Sequence, residues 1–140
     1  MKQIVFVLMF FFTSTAAYTQ IKETVDSLQN RVNSAKDDTS RINSQIALCA
    51  WYRLGNPDSS LFYGIQALES SRNINYISGQ IRSLGFMSIV TEQQGNLPKS
   101  LELAFEALQL AEKYQLENHS SAALHGIAQA YLILKTIPRH

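Results

Sequence analysis

Apolar residues recur every three or four positions along most of this chain, a spacing that places them on one face of a helix. The first stripe comprises Ile21, Val25, Leu28, Val32 and Ala35, with charged and amide side chains between them. It predicts an amphipathic helix over about 21–36. Similar spacing predicts further helices over about 40–54, 57–73, 76–94, 99–114 and 120–135. Asp38 or Thr39 would cap the second of these, because both side chains accept hydrogen bonds from free backbone N–H groups.

Two Gly-Asn pairs, Gly55-Asn56 and Gly95-Asn96, interrupt the helical pattern. Glycine tolerates the left-handed conformation that ends many helices, asparagine caps the next helix, and the prolines that follow suit its first turn. Six pairs of identical residues share one sequence interval: Gly55/Gly95, Asn56/Asn96, Ser60/Ser100, Leu61/Leu101, Ala67/Ala107 and Leu68/Leu108. A fixed interval of this size indicates a repeated structural unit.

The first residues follow a different pattern. Lys2 precedes an apolar run over 4–12, which is followed by small residues over 13–17. This order is typical of a secretory signal peptide, and the run is shorter than the about 20 apolar residues that cross a bilayer. We therefore expect residues 1–17 to be a signal peptide and the chain to be exported, facing the periplasm. The alternative is a buried N-terminal helix.

Composition limits the function classes. With 46% hydrophobic and 16% charged residues the chain has an ordinary globular composition. Its net charge of +1 comes without any run of lysine or arginine, so nothing favours binding to nucleic acid. Cys49 is the only cysteine, which rules out an internal disulfide.

The repeated units resemble the tetratricopeptide repeat (TPR) family, in which pairs of antiparallel helices stack side by side. The motif of the first helix of each pair is carried best by Leu124-x-x-Ile127-Ala128-x-x-Tyr131, in part by Leu84-x-x-Met87-Ser88-x-x-Thr91 and poorly by Ser44-x-x-Ala47-Leu48-x-x-Trp51. In the second helix, Gly64 and Ala104 stand where the family has a bulky aromatic residue. The interval is longer than the usual family period, which longer helices would explain.

The resemblance implies an all-α fold: a right-handed stack of antiparallel helix pairs, or TPR-like α-solenoid. It would hold about two and a half repeats over residues 39–140, with the last repeat incomplete, preceded by an N-terminal helix and turn over 18–38. The helix over 124–134 would lie partly uncovered. We expect a truncated repeat, a partner that covers this end, or self-association through the open C-terminal end.

In this family the first helix of each pair lines the concave side of the array. Carried over residue by residue, the resemblance implies a groove for a protein or peptide lined by Gln45, Tyr52, Arg53, Arg82, Glu92, Gln93, His125 and Gln129. The alternative is that these residues are only the solvent face of the helices. The Lys/Asn clamp that chaperone-binding members use for a terminal carboxylate is not visible.

Motifs for catalysis, cofactors or metals are not found. His119, His125 and His140 have no cysteine or aspartate at ligand spacing. Cys49 lies among apolar residues and is expected to be buried, and Glu102 and Glu106 are expected on a solvated helix face. We therefore expect no enzymatic activity, no cofactor and no bound metal.

An exported chain with long units of the Asn-Pro-Asp-Ser type (56–59) looks like the sensory ectodomain of bacterial membrane histidine kinases. The expected function is protein or peptide binding in signal transduction. Kinase activity would belong to a longer parent chain, and the membrane would be reached only through a downstream segment or an uncleaved signal. The alternative is a stand-alone periplasmic scaffold or assembly protein.

Overall fold

The computed structural model describes residues 24–116, a range that consists of helices joined by short turns, with no strand. Its five helices are α1 (24–34), α2 (Asp38–Tyr52), α3 (Pro57–Asn73), α4 (Ile77–Gln93) and α5 (Leu97–Lys113). The all-α prediction is confirmed for this range. The predicted signal peptide and the helix over 120–135 lie outside the described residues. Within the described range, every helix is too short or too polar to span a bilayer.

The helices α3, α4 and α5 follow one another in equal steps of helix plus turn. Each is 17 residues long, and three residues separate α3 from α4 and α4 from α5. The middle residue of the turn after each helix has a left-handed backbone, with φ of 54° at Asn75, 80° at Gly95 and 55° at Gln115. The residue after it donates a backbone hydrogen bond to the carbonyl five positions back, as in a Schellman motif. The interval between the identical sequence pairs is therefore two helix-plus-turn steps.

The corner between α2 and α3 has a different geometry. The helix before it, α2, has 15 residues, and four residues rather than three separate α2 from Pro57. The N–H of Asn56 bonds to the carbonyl of Tyr52 at 2.8 Å, and Gly55 does not adopt a left-handed backbone. The prediction of a left-handed glycine is thus confirmed at Gly95 and wrong at Gly55. Because α2 is two residues shorter than α4 while the corner after it is one residue longer, the first residues of α2 and α4 are one position closer in the sequence than those of α3 and α5.

Three helices begin at side-chain caps. Asn56 Oδ1 accepts from the N–H of Ser59 at 3.0 Å and Asn96 Oδ1 from that of Lys99 at 3.2 Å, as predicted. For α2 the cap is Asp37 rather than Asp38 or Thr39, because its carboxylate reaches both the N–H and the hydroxyl of Ser40 at 2.8 and 2.7 Å. The negative charge also suits the positive end of the helix dipole.

From α2 to α5, consecutive helices pack against one another, and α2 also contacts α4, whereas α3 and α5 make no direct backbone contact. We call α2 and α4 the inner helices. The larger core cluster joins α3, α4 and α5 through Leu68, Ile81, Leu84, Met87, Leu103, Ala107 and Ala111. A smaller one joins α2 and α3 through Ile42, Ile46 and Ala67.

The first helix lies next to α3, and its predicted apolar stripe is its less exposed face. Val25, Leu28 and Val32 are half-buried, while most polar residues between them are exposed. Gln29 Nε2 lies 3.5 Å from the hydroxyl oxygen of Tyr63 on α3.

A glycine sets the distance between α3 and the inner helices. A Cβ at Gly64 would lie 2.6 Å from Met87 Cγ and 3.2 Å from Cys49 Sγ. The Met87 side chain thus fills the space where a bulky residue on α3 would otherwise sit. Ala104, the matching residue of α5, is likewise buried.

Candidate ligand-binding surface

Two buried hydrogen-bonded pairs establish which residues of the inner helices are equivalent. The Ser60 hydroxyl donates to the carbonyl of Cys49 at 2.6 Å and lies 3.5 Å from its Sγ. The Ser88 hydroxyl donates to the carbonyl of Ser100 at 2.9 Å and lies 3.1 Å from its Oγ. Cys49 and Ser88 therefore occupy the same place, facing Ser60 and Ser100 respectively.

The register between the inner helices is accordingly one residue shorter than that between α3 and α5, because α2 is two residues shorter than α4 while the corner after it is one residue longer. Burial supports this corrected register, since both members of five matched pairs are buried: Ile42/Ile81, Ser44/Ser83, Gln45/Leu84, Leu48/Met87 and Cys49/Ser88. The sequence alignment that matched Ser44 to Leu84 is therefore wrong by one residue.

This shift moves two predicted groove residues away from the surface shared by the inner helices. Gln45 is only 6% exposed, and its Nε2 bonds to Gln66 Oε1 on α3 at 3.3 Å. Tyr52 is half-buried and its ring stacks on that of Tyr63, also on α3, with centroids 5.9 Å apart. The physical reason is that one residue along a helix rotates the side chain by about 100°.

The other described candidates remain accessible. Arg53, Arg82 and Glu92 are partly exposed and Gln93 is exposed. Predicted groove residues His125 and Gln129 lie outside the described residues.

The sequence reasoning missed one residue of this surface. Asn43 on α2 is the equivalent of Arg82 on α4 in the corrected register, and its Oδ1 accepts from Arg82 Nη1 at 2.7 Å. The hydroxyl of Tyr76 also lies 3.4 Å from this oxygen. The corrected register is the signal that would have found it. We define the inner surface as Asn43, Arg53, Arg82, Glu92 and Gln93.

The inner surface carries two arginines, Arg53 and Arg82, and one carboxylate, Glu92. Within the described range, no carboxylate forms an ion pair with Arg53 or Arg82. The Nε of Arg53 is buried without a hydrogen-bond partner. Arginine presents several N–H donors in a fixed plane, so these two side chains are able to bind carbonyl or carboxylate oxygens of a ligand.

Within residues 24–116, the cysteine and the two glutamates considered for catalysis are buried or paired. Cys49 is buried, as predicted, and burial raises the pKa of its thiol while the hydrogen bond with Ser60 opposes this in part. The thiol is therefore protonated near neutral pH and is a poor nucleophile. Glu102 pairs with Lys99 and Glu106 with Arg72, so these two carboxylates serve separate ion pairs. Among the residues the structure describes, no three metal-ligating side chains converge.

No protein-family model, curated protein or solved structure matches this chain. The inner surface and its hydrogen bonds are therefore the basis for assigning a function.

Proposed function

We propose that this chain is a protein- or peptide-binding module of the tetratricopeptide type, which holds its ligand on the inner surface. The observation that carries the proposal is the hydrogen bond between Asn43 and Arg82, two equivalent residues of successive inner helices. In a stacked repeat array, equivalent positions line up into one continuous surface, and such surfaces bind extended partners.

The corrected register supports the proposed family. In place of Ser44-x-x-Ala47-Leu48-x-x-Trp51, the α2 segment equivalent to that of α4 is Gln45-x-x-Leu48-Cys49-x-x-Tyr52. A leucine, a small residue and then a tyrosine at these intervals resembles the family motif better. The one-residue difference between the α2–α3 and α4–α5 units obscured this resemblance in the sequence.

The arrangement suits recognition of a peptide. Asn43 holds one guanidinium nitrogen of Arg82, so the side chain loses less conformational freedom when its remaining donors meet a ligand. Arg53 supplies a second cation just past the end of α2, and Glu92 and Gln93 add acceptors on α4. The ligand would be bound by these groups in the mature exported protein, as part of a bacterial signalling protein of the histidine kinase type.

A capture experiment with matched variants tests this proposal. The exported chain is used to isolate partners from a periplasmic extract, and the affinity of each identified partner is then measured. The double variant Arg53→Ala/Arg82→Ala should weaken binding by at least about tenfold, because arginines often dominate interface energetics. Lys99→Ala, on the exposed side of α5 and outside the inner surface, should leave affinity unchanged.

Equal affinity of the double variant and the parent chain would show that the inner surface is not the binding site. The partner's nature separates the two functional classes. A partner that modulates a kinase linked to this chain supports the sensory role, whereas an envelope protein held in an assembly supports the scaffold role.

A further inference from the structure

A second concave surface lies between α1 and α3, with Leu48 of the inner helix α2 also lining it. This α1–α3 groove has a volume of about 260 Å³ and is lined in part by Gln29, Asn33, Phe62, Tyr63 and Gln66. Every described residue that lines it is uncharged. The groove therefore offers no electrostatic attraction to an ionic ligand.

Its polar groups are amides with unused hydrogen-bonding capacity. The side chain of Asn33 has no hydrogen-bond partner among residues 24–116, and Gln66 uses only its Oε1, which accepts from Gln45. Gln29 makes only a long contact with the Tyr63 hydroxyl, at 3.5 Å. An amide both donates and accepts, so three of them together suit a ligand whose own groups do both.

Its aromatic groups are held in place by one another. Tyr63 stacks on Tyr52 with an interplanar angle of 4° and meets Phe62 edge-on, with ring centroids 5.3 Å apart. Phe62 nevertheless remains 55% exposed. An exposed ring face carries partial negative charge and attracts polarised C–H groups of a ligand.

We propose that the α1–α3 groove binds one uncharged pyranose ring, either a free sugar or the end unit of a glycan. Sugar hydroxyls both donate and accept hydrogen bonds, and one face of the ring presents C–H groups to an aromatic side chain. The groove is slightly smaller than the about 300–1,000 Å³ of pockets for drug-sized ligands, which suits a single ring. This site goes beyond the proposed peptide surface and does not depend on it.

The test is a titration of the intact ¹⁵N-labelled chain, followed by NMR. D-glucose, D-galactose and N-acetyl-D-glucosamine are added to about 20 mM, well above the about 1 mM dissociation constant of a weak site. At least one sugar should shift the side-chain amide signals of Gln29, Asn33 and Gln66 in a saturable manner. Cyclohexanol, which lacks the additional hydroxyls, should bind at least about tenfold more weakly.

Matched variants locate the binding. Phe62→Ala and Asn33→Ala should each weaken binding of the sugar by at least about tenfold. Circular dichroism of both variants should show that these surface changes leave the helices intact. Phe105→Ala removes a ring of similar exposure, 48%, from α5 and should have no effect. Absence of saturation with all three sugars, equal binding of cyclohexanol, or shifts that survive Phe62→Ala would each overturn the proposal. Tighter binding of a trisaccharide of the active sugar would identify a glycan as the source.

Discussion

The close approach of the helices depends on individual small residues, and two helical glycines show opposite cases. A Cβ at Gly64 would clash with Met87 and crowd Cys49, whereas a Cβ at Gly85 would meet nothing within 4 Å. The first glycine is thus required by packing between α3 and the inner helices, and the second is not.

Alanine at these two positions should therefore have opposite effects. Gly64→Ala should lower the free energy of unfolding by about 1–3 kcal/mol, as is usual when a well-packed core is overfilled. Gly85→Ala should raise it by about 0.4–1 kcal/mol, because alanine restricts the unfolded chain and favours the helix. Urea denaturation of both variants checks this. A stabilising Gly64→Ala would mean that Met87 moves aside at no cost.

The equivalence of Cys49 and Ser88 predicts an unusually mild core substitution. Cys49→Ser should change the free energy of unfolding by less than about 1 kcal/mol, since a serine there would meet Ser60 as Ser88 meets Ser100, at 3.1 Å. Cys49→Leu should cost about 1–3 kcal/mol because Gly64 already lies against the sulfur. The reciprocal change Ser88→Cys is the control. If Cys49→Ser is as damaging as Cys49→Leu, the two positions are not equivalent.

At the scale of the helices, the corners decide how the repeats are related. Gly95 has a left-handed backbone and Gly55 does not, although both stand in the same Gly-Asn context of the sequence. The corner at Gly95 therefore requires a backbone conformation that favours glycine, whereas the corner at Gly55 does not.

Gly95→Ala should lower the free energy of unfolding by about 1–2 kcal/mol, the usual cost of a residue with a Cβ in the left-handed backbone conformation. Gly55→Ala should change it by no more than about 0.5 kcal/mol, because its added Cβ meets nothing and its backbone is unstrained. Thermal and urea unfolding measure both. Equal losses would indicate that the two corners share one conformation in solution.

The cap of α2 should make stability depend on pH. Hydrogen bonds from the backbone and side chain of Ser40 hold the pKa of Asp37 below its usual 3.8. A lowered pKa in the folded state stabilises the protein above the unfolded pKa, and this contribution is lost as the pH falls through the folded pKa. Asn also caps helices but does not titrate. The stability advantage of the parent chain over Asp37→Asn should therefore shrink below about pH 4, as urea midpoints at several pH values would show. A constant difference from neutral to strongly acidic pH would contradict this.

The sequence predicted the helices well and the surface less well, for a physical reason. Apolar spacing and the Gly-Asn pairs mark helix existence and two caps, because these depend on local interactions. The register between α2 and α4 depends on the length of α2 and the backbone path at Gly55, which the identical Gly-Asn letters do not reveal. The one-residue difference between the α2–α3 and α4–α5 units placed Gln45 and Tyr52 in the predicted groove and left Asn43 out of it.

At the scale of the whole described range, 24–116, α4 occupies the central position. It contacts α2, α3 and α5, and nine of its residues are buried. The first helix, in contrast, contributes only a half-buried stripe. The free energy of local unfolding should therefore be highest in α4 and lowest in α1.

Hydrogen exchange should reflect this order. We expect the slowest backbone amides at 81–91 in α4 and fast exchange over 24–34, measured by mass spectrometry on the native chain. Lys99→Ala, which removes an exposed ion pair, should not alter the order. Slower exchange in α1 than in α4 would show that α1 is held by contacts stronger than its apolar stripe.

The equal lengths of α3, α4 and α5 and of their turns determine how such an array can be lengthened. A tandem copy of 77–116 would add two helices in the same orientation as α4 and α5, because it repeats both helices together with their turns. One residue gained or lost inside a helix would instead turn the side chains after it by about 100° around the helix axis. Lengthening by complete blocks therefore keeps equivalent residues on the same face, whereas the path from the start of α2 to the start of α3 is one residue shorter than that from α4 to α5.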